Sequence, residues 1–443
     1  MEHPPVSERR QLALAPGVTL LLAMVAMAAV GLMREHMPVL MLFYTVAFGA
    51  MLWAWRKHAE ALEQPGVLMG WALAFRLVLV PTWPDLSDDL FRYVWDGWLL
   101  SEGINPYAMI PSDPRLAAFS SDPLFASLNS PDYHSVYPPP SQLFFLLGGA
   151  LYPKVGVMWA VFAVKMGFLL AEVGALAFLV RARRVQGEPM APLVAYAWNP
   201  LVVVVFAGQG HSEAAMMLGM ALAIWALVAQ RPVWSWMGYL WAGMIKLTPL
   251  VLGPLWLKHH RGKGMAPAVA LGVVFALPMA LSGAQIWQSL QLYVGYFEFN
   301  AGFYYGLKFV LYWVTGEDVS KSLGPALRWV FLACAVGIWA FVPVKTWQGL
   351  LRATALLLSA YLLTATTVHP WYLTWVLILV PFVATLRWAW LWVSYASFWT
   401  YSAYLGWDHG LQMWGVWGGF VIFALAQWIH DRRVRSVESE PAS

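Results

Sequence analysis

Apolar runs of 17 to 25 residues recur along the chain, separated by short polar turns. A run of that length crosses roughly 30 Å of hydrocarbon as a helix. In lipid every backbone N–H and C=O must be satisfied within the segment, so the runs predict helices. They are continuous rather than alternating, which excludes a β-barrel. The pattern predicts twelve full spans, near 14–33, 38–55, 66–83, 156–180, 191–207, 212–230, 265–281, 323–343, 350–367, 371–387, 388–406 and 411–430. The piece 233–257 is too long for one clean span and holds Lys246-Leu247-Thr248-Pro249. Proline lacks an N–H and disfavours helix at the residue before it, so this piece reads as a re-entrant hairpin of two half-helices. The expected fold is an all-α polytopic membrane protein, one integral-membrane domain over residues 1–443.

Composition agrees: 60% of the residues are hydrophobic and 28 are tryptophan, more than a water-soluble core absorbs. The first run follows Glu8-Arg9-Arg10. It is too long for a cleaved signal core, and a second span follows closely, so it reads as an uncleaved helix. With both termini inside, 17 of the 27 Lys and Arg fall in cytoplasmic loops and six in outer loops. That asymmetry follows the positive-inside rule. Treating 233–257 as one full crossing would put the basic Lys258–Lys263 loop outside and spoil it. The basic residues are scattered rather than clustered, which argues against nucleic acid. Cys334, the single cysteine, forbids an intramolecular disulfide and reads as core filler.

Two outer segments are too long to be connectors, 85–140 and 285–322; ordered loops of such length are usually functional. The first carries eight acids against two arginines, and the second is aromatic. Residues 431–443 read as a cytoplasmic tail.

Four motifs carry candidate chemistry. In DLSDDLFRYVWDGWLLSEGINPY, Asp85 to Tyr107, Ser87 suits a helix N-cap and Asp88 and Asp89 the first turn, where the macrodipole favours anions. Leu90, Val94 and Trp98 recur at helical spacing, and Gly103 with Asn105-Pro106 stops the pattern. Residues 88–102 therefore predict an amphipathic helix lying on the outer membrane face. The aspartates are either helix-start residues or a carboxylate held at the bundle mouth as a general base. In YAWNPLVVVVFAGQGHSEAAMM, Asn199, Gln209, His211 and Glu213 are expected at the outer ends of two adjacent spans, where polar groups mark pathways or sites. His211 and Glu213 are too few for a metal site. Lys246, at the proline-broken hairpin, is either an anion-binding lysine or the partner of a buried acid such as Glu172. Arg76 and Lys165 read as partners of Glu172 or snorkelling residues. In VHPWYLTW, His369-Pro370 starts a helix, with Trp371 and Tyr372 beside it. His369 would face the same cavity and bind phosphate or a sugar hydroxyl.

These motifs, with VYPPPSQLFF (Val136 to Phe145), IKLTP and FEFNAGFYYG (Phe297 to Gly306), resemble prokaryotic mannosyltransferase-like members of the GT-C superfamily, which use polyprenyl-phosphate sugars. The likeness runs from about residue 66 to 390. It implies a GT-C-like helix bundle with juxtamembrane helices in a large first outer loop, an acidic catalytic base and a lipid-phosphate donor held in a membrane groove. It also implies no metal and no cofactor beyond that co-substrate. The acidic pair carries to Asp88 and Asp89, the tyrosine-proline turn to Tyr137 with Gln142 behind it, and the Gly-His motif to Gly210 and His211. Many relatives have Asn-Asp after that histidine; here it is Ser212-Glu213. Asn300, in FEFNAGFYYG, and Tyr372 join the candidate binding residues.

The expected chemistry is transfer of a hexose, mannose first, from a polyprenyl-phosphate donor to a lipid or glycan acceptor at the outer face of the plasma (inner) membrane. Asp89 or Asp88 is the base in an inverting displacement, unlike hydrolysis by two spaced carboxylates. Lys246, Arg92, His211 and His369 are candidates to meet the leaving phosphate. Tyr93, Trp95, Tyr304 and Tyr305 are candidates to stack on sugars. The alternatives are a transporter or flippase with its site at 233–257, and an O-antigen-ligase-like enzyme with a larger donor. No internal repeat supports transport.

Overall fold

The computed structural model describes residues 14–282, 297–407 and 409–438. Residues 1–13, with the expected Glu8-Arg9-Arg10 flank, 283–296, which take in the start of the second expected outer segment, 408, and 439–443, at the end of the expected tail, lie outside these. The described residues are helical almost throughout. Their one strand-like pairing is an isolated parallel bridge between Phe299 and Thr367.

The chain opens with α1 (Leu14–Val30), α2 (Met37–Lys57) and α3 (Pro65–Leu79). Prolines at the first turns of α2 and α3 begin them where an N–H is dispensable. The 85–140 segment holds α4 (Asp89–Ser101) and leads to α5 (Pro139–Gly149) and the long α6 (Tyr152–Gln186). Gly156 breaks the helical path of α6 near its start (φ 78°), and Gly187 closes it in the left-handed conformation. A helix pair, Ala191–Ala197 and Pro200–Gly208, bends by 42° at Asn199-Pro200. Then come α7 (Glu213–Val228), α8 (Pro232–Ile245), α9 (Gly253–His260), α10 (Met265–Ala280), α11 (Gly302–Thr315), α12 (Ser320–Phe341), α13 (Trp347–Thr364), α14 (Arg387–Ala396) and α15 (His409–Glu438).

Among the described residues four helical segments are long and apolar enough to cross a membrane: Arg34–Lys57, Tyr152–Gln186, Ser320–Phe341 and Gly410–Val434. The bent pair makes a fifth if counted as one span. Four shorter apolar helices, among them α3, α7 and α10, occupy predicted spans. Large apolar side chains point outward along these helices: Leu42, Leu170, Trp329 and Phe341 are all exposed. An apolar exterior of this extent marks a membrane protein. Cys334 is exposed on α12, so it lies on this exterior rather than in the core.

Besides the bent pair, two further expected spans are not single helices. Residues 370–383 form a 3₁₀ turn that Pro370 opens, one α-turn and further turns; Pro381 withholds a helical donor and crowds the Leu377 carbonyl, where the α-turn ends. The 388–406 run divides into α14 and a 3₁₀ stretch, Ser397–Leu405. The 233–257 piece breaks at Lys246, as its proline requires. Trp256 Nε1 donates to Ser235 Oγ at 3.2 Å, and the His260 ring nitrogen lies 3.1 Å from the same oxygen. The second half thus folds back beside the start of the first.

The amphipathic surface helix expected at 88–102 is corrected. α4 begins at Asp89, with Asp88 at the N-cap position making no side-chain cap, and the Ser87 hydroxyl accepts the Asp89 amide at a long 3.4 Å. α4 is buried all round: Arg92, Tyr93, Val94, Trp95, Asp96 and Gly97 are all inside. The polar pair is tolerated because Arg92 Nε donates to Asp96 Oδ1 at 2.7 Å, one turn on. A Cβ on Gly97 would meet the Phe145 carbonyl oxygen at 2.1 Å, so glycine lets α4 and α5 touch backbone to backbone.

One end of the bundle gathers Arg34, Asp85–Asp89, Gln209–Glu213, Lys246 and Thr366–Tyr372 through the contacts described below. The opposite end gathers basic helix ends: Arg56 lies 5.3 Å from the Trp388 ring, Arg387 5.9 Å from Trp55, and Arg183 donates to the Pro189 and Pro381 carbonyls. Between them Arg76 and Glu172 pair at 2.5 Å with no exposure. Lys165 is not a partner of Glu172; it donates to the Thr82 carbonyl at 2.6 Å, beyond the end of α3.

Candidate active site

The two adjacent aspartates at the start of α4 have different partners. Arg34 Nη2 donates to Asp88 Oδ1 at 2.8 Å, and the Arg34 backbone N–H donates to Asp85 Oδ2 at 3.1 Å. The same guanidinium sits 4.7 Å above the Tyr404 ring. Asp88 is therefore held by the Arg34 guanidinium and Asp85 by the backbone of the same residue. Asp89 points elsewhere: Asn129 Nδ2 donates to its Oδ1 at 3.1 Å, and its Oδ2 lies 3.7 Å from His211 Nδ1. Burial pushes the Asp89 carboxyl up to about 6, against the pull of the Lys246 charge and the Asn129 hydrogen bond. Its side chain retains 24% exposure, so solvent and substrate reach it.

His211 is presented by Gly210, whose positive φ of 70° turns the chain sharply between the bent pair and α7. The imidazole is buried and stacks on Trp371 at 3.8 Å. The other face of Trp371 carries His369 at 4.3 Å, and His369 in turn stacks on Phe299 at 5.0 Å. Both faces of Trp371 are thus occupied by imidazoles. Burial, with the Lys246 charge next, holds His211 well below the usual histidine range and His369 at about 3. Burial disfavours the charged form of both rings, which favours a hydrogen-bonding role over the cationic one expected from sequence.

Lys246 ends α8 in an extended conformation and pairs with Glu213, the first residue of α7. Its partner is this acid, not Glu172. The ammonium also lies 4.5 Å from the Tyr372 ring, which stacks on Trp375 at 4.6 Å. Glu213 is fully buried, whereas the Lys246 side chain keeps 24% exposure.

The remaining sequence candidates lie around this cluster. Arg92 donates to Asp96 and to the Ser130 and Tyr133 carbonyls, pinning the 85–140 segment onto α4. Gln142 Nε2 reaches Ser135 Oγ at 3.1 Å and Asp96 at 3.3 Å in the same internal network. Tyr93 stacks on Phe145 at 4.2 Å and meets Tyr137 edge-on, and the Tyr137 carbonyl accepts from Tyr107 at 2.6 Å. Asn199 does not join the mouth of the bundle. It caps the Pro200 helix by accepting from Leu201 N–H at 3.0 Å, and Nδ2 reaches Ser394 Oγ at 3.2 Å. The Pro200–Gly208 segment separates it from His211, about 13 Å at helical rise. Asn300, at a positive φ of 47°, ties Val368 to Ser397, and Trp417 Nε1 donates to its carbonyl. It fixes the approach to His369. Arg34 and Asn129 were not selected from sequence, because neither belongs to a motif and only the fold brings them to the aspartates.

Among the described residues no three His, Cys, Asp or Glu side chains form a metal-holding group. A recess of about 420 Å³ lined by Tyr305, Lys308, Phe309, Tyr312 and Asp318 shares no residue with the cluster around Asp89.

A model of the MptA_B family, described as alpha-(1->6)-mannopyranosyltransferase, N-terminal domain, matches residues 12–259, more than half of the 443-residue chain. The chain belongs to this family. It is a family of GT-C-type mannosyltransferases, so its activity is glycosyl transfer. Comparison with curated proteins and with solved structures finds no match. The mannosyltransferase match includes Asp88, Asp89, His211, Glu213 and Lys246 and begins earlier than the likeness read from motifs, taking in Arg34. His369, Tyr372 and Asn300 fall beyond it, on segments that the fold brings back to the same end.

Proposed function

We propose that the protein transfers mannose from a polyprenyl-phosphate donor to a hydroxyl of a lipid or glycan acceptor at the outer face of the plasma membrane, with Asp89 as base. The reading is supported by the divergence of the two aspartates. Asp88 is neutralised by Arg34, whereas Asp89 stands beside His211 and within the field of Lys246. The family supplies the sugar. The gathering of basic helix ends opposite this cluster supports an outward-facing site with both termini cytoplasmic. The 233–257 hairpin is then re-entrant, the chain forms one membrane domain, and the 85–140 and 285–322 segments form its outer side. Polytopic helices suit a lipid-anchored donor, and no metal or cofactor enters the scheme.

In the reaction Asp89 takes the proton of the acceptor hydroxyl as its oxygen attacks the anomeric carbon. The bond from that carbon to the phosphate oxygen breaks, and polyprenyl phosphate leaves with the electron pair. Lys246, partly exposed and within the field of Asp89, is the cation that meets the developing charge. Direct displacement inverts the anomeric centre, so an α-(1→6) product calls for a β-linked donor. The test is a pair of variants in purified, reconstituted protein. Asp89→Asn lowers kcat on the order of 100-fold or more, while Asp88→Asn stays within about tenfold. Full activity in Asp89→Asn would overturn the assignment.

A further inference from the structure

Buried polar groups in folded proteins almost always have partners, so several without one at a single place call for an occupant. Around Asp89 such groups accumulate. Both ring nitrogens of His211, Gln209 Nε2, Glu213 Oε2 and the Tyr401 hydroxyl are buried with no hydrogen-bond partner. The parent side chains are at most 1% exposed. Contacts tie three of these residues to the surroundings of Asp89: Gln209 Oε1 accepts the Leu86 N–H at 2.9 Å, on the loop that leads to Asp89. His211 lies 3.7 Å from Asp89, Glu213 holds Lys246, and Tyr401 is within electrostatic reach of both Asp89 and Glu213.

The chemistry of the set selects its ligand. Gln209 offers a donor, a neutral His211 offers one donor and one acceptor, Glu213 offers an anionic acceptor, and Tyr401 offers either. An anionic acceptor repels phosphate but accepts from a hydroxyl. Alternating donors and acceptors match the vicinal hydroxyls of a hexose, each of which both gives and takes. Trp371 cannot supply a stacking face, since His211 and His369 cover both of its sides.

We propose that Gln209, His211, Glu213 and Tyr401 form the subsite that holds the donor hexose and reads its hydroxyls, with Lys246 on the phosphate side. This rests on the lipid-phosphate donor reading above and adds which groups distinguish mannose from its epimers.

The experiment compares wild type, Tyr401→Phe and Gln209→Glu in liposomes, with polyprenyl-phosphate mannose and polyprenyl-phosphate glucose as donors, alongside thermal melts. Tyr401→Phe removes one oxygen, and Gln209→Glu keeps the acceptor for Leu86 while removing the donor. Each is expected to lower kcat/KM for the mannosyl donor about tenfold and to narrow the mannose-to-glucose ratio. Because the Tyr401 hydroxyl has no hydrogen-bond partner within the protein, Tyr401→Phe is expected to leave Tm unchanged or raise it. A lowered Tm with unchanged kinetics and ratio would show a structural role and overturn the subsite while leaving the donor reading intact. Wild type that transfers from neither lipid-linked hexose overturns both.

Discussion

Asp89 and Asp88 are neighbours in the chain, and their partners set them apart. Arg34 holds Asp88 as a counter-ion, while desolvation raises Asp89 toward neutrality and the Lys246 charge keeps it ionisable. A base must be deprotonated to act, so raising its pKa removes activity at acid pH. The expected pH profile of kcat/KM falls about tenfold per unit below a break near pH 6, the raised value of Asp89, and is level above it. An ordinary carboxylate would place that break near pH 4. Measured on the reconstituted protein, a profile flat from pH 7 down to 4.5 would contradict the assignment. Burial lowers both His369 and His211, so neither is expected to add a break near neutral pH.

At the scale of elements, α4 matters because it carries Asp89 and is locked on every side. Gly97 allows its backbone to reach α5, and any side chain there would collide with the Phe145 carbonyl. Gly97→Ala is therefore expected to cost about 1–3 kcal/mol, seen as a lower Tm, with activity falling alongside as the start of α4 shifts. An unchanged Tm would show that α4 and α5 have room to part. This helix also shows what sequence could and could not tell. Its existence and end were legible in the apolar spacing and in Gly103 and Asn105-Pro106. Its burial was not, because Arg92 and Asp96 look like a solvated face until each is seen to satisfy the other. The break at Lys246 was legible from Pro249, whereas the irregular path of 370–383 was not, since continuous apolar composition hid what Pro381 does to it.

At the scale of the whole molecule, long apolar runs announced a helical membrane protein, and the family match places the chain among mannosyltransferases. The convergence of Asp89, His211, Lys246 and His369 was legible as candidates at one mouth, because polar residues at helix ends stand out in an apolar chain. Partner choice was not legible. Lys246 meets Glu213 rather than Glu172, Asn199 stays within the bundle, and Arg34 arrives from a short loop, all through packing between segments distant in sequence. The proposed function has the enzyme take its sugar from within the membrane plane. The most direct test supplies purified protein in liposomes with radiolabelled β-linked polyprenyl-phosphate mannose or with a nucleotide-linked mannose, each with a mannoside acceptor. The account predicts an α-(1→6)-mannosylated product from the lipid donor alone; transfer from the nucleotide donor, with none from the lipid donor, would contradict it.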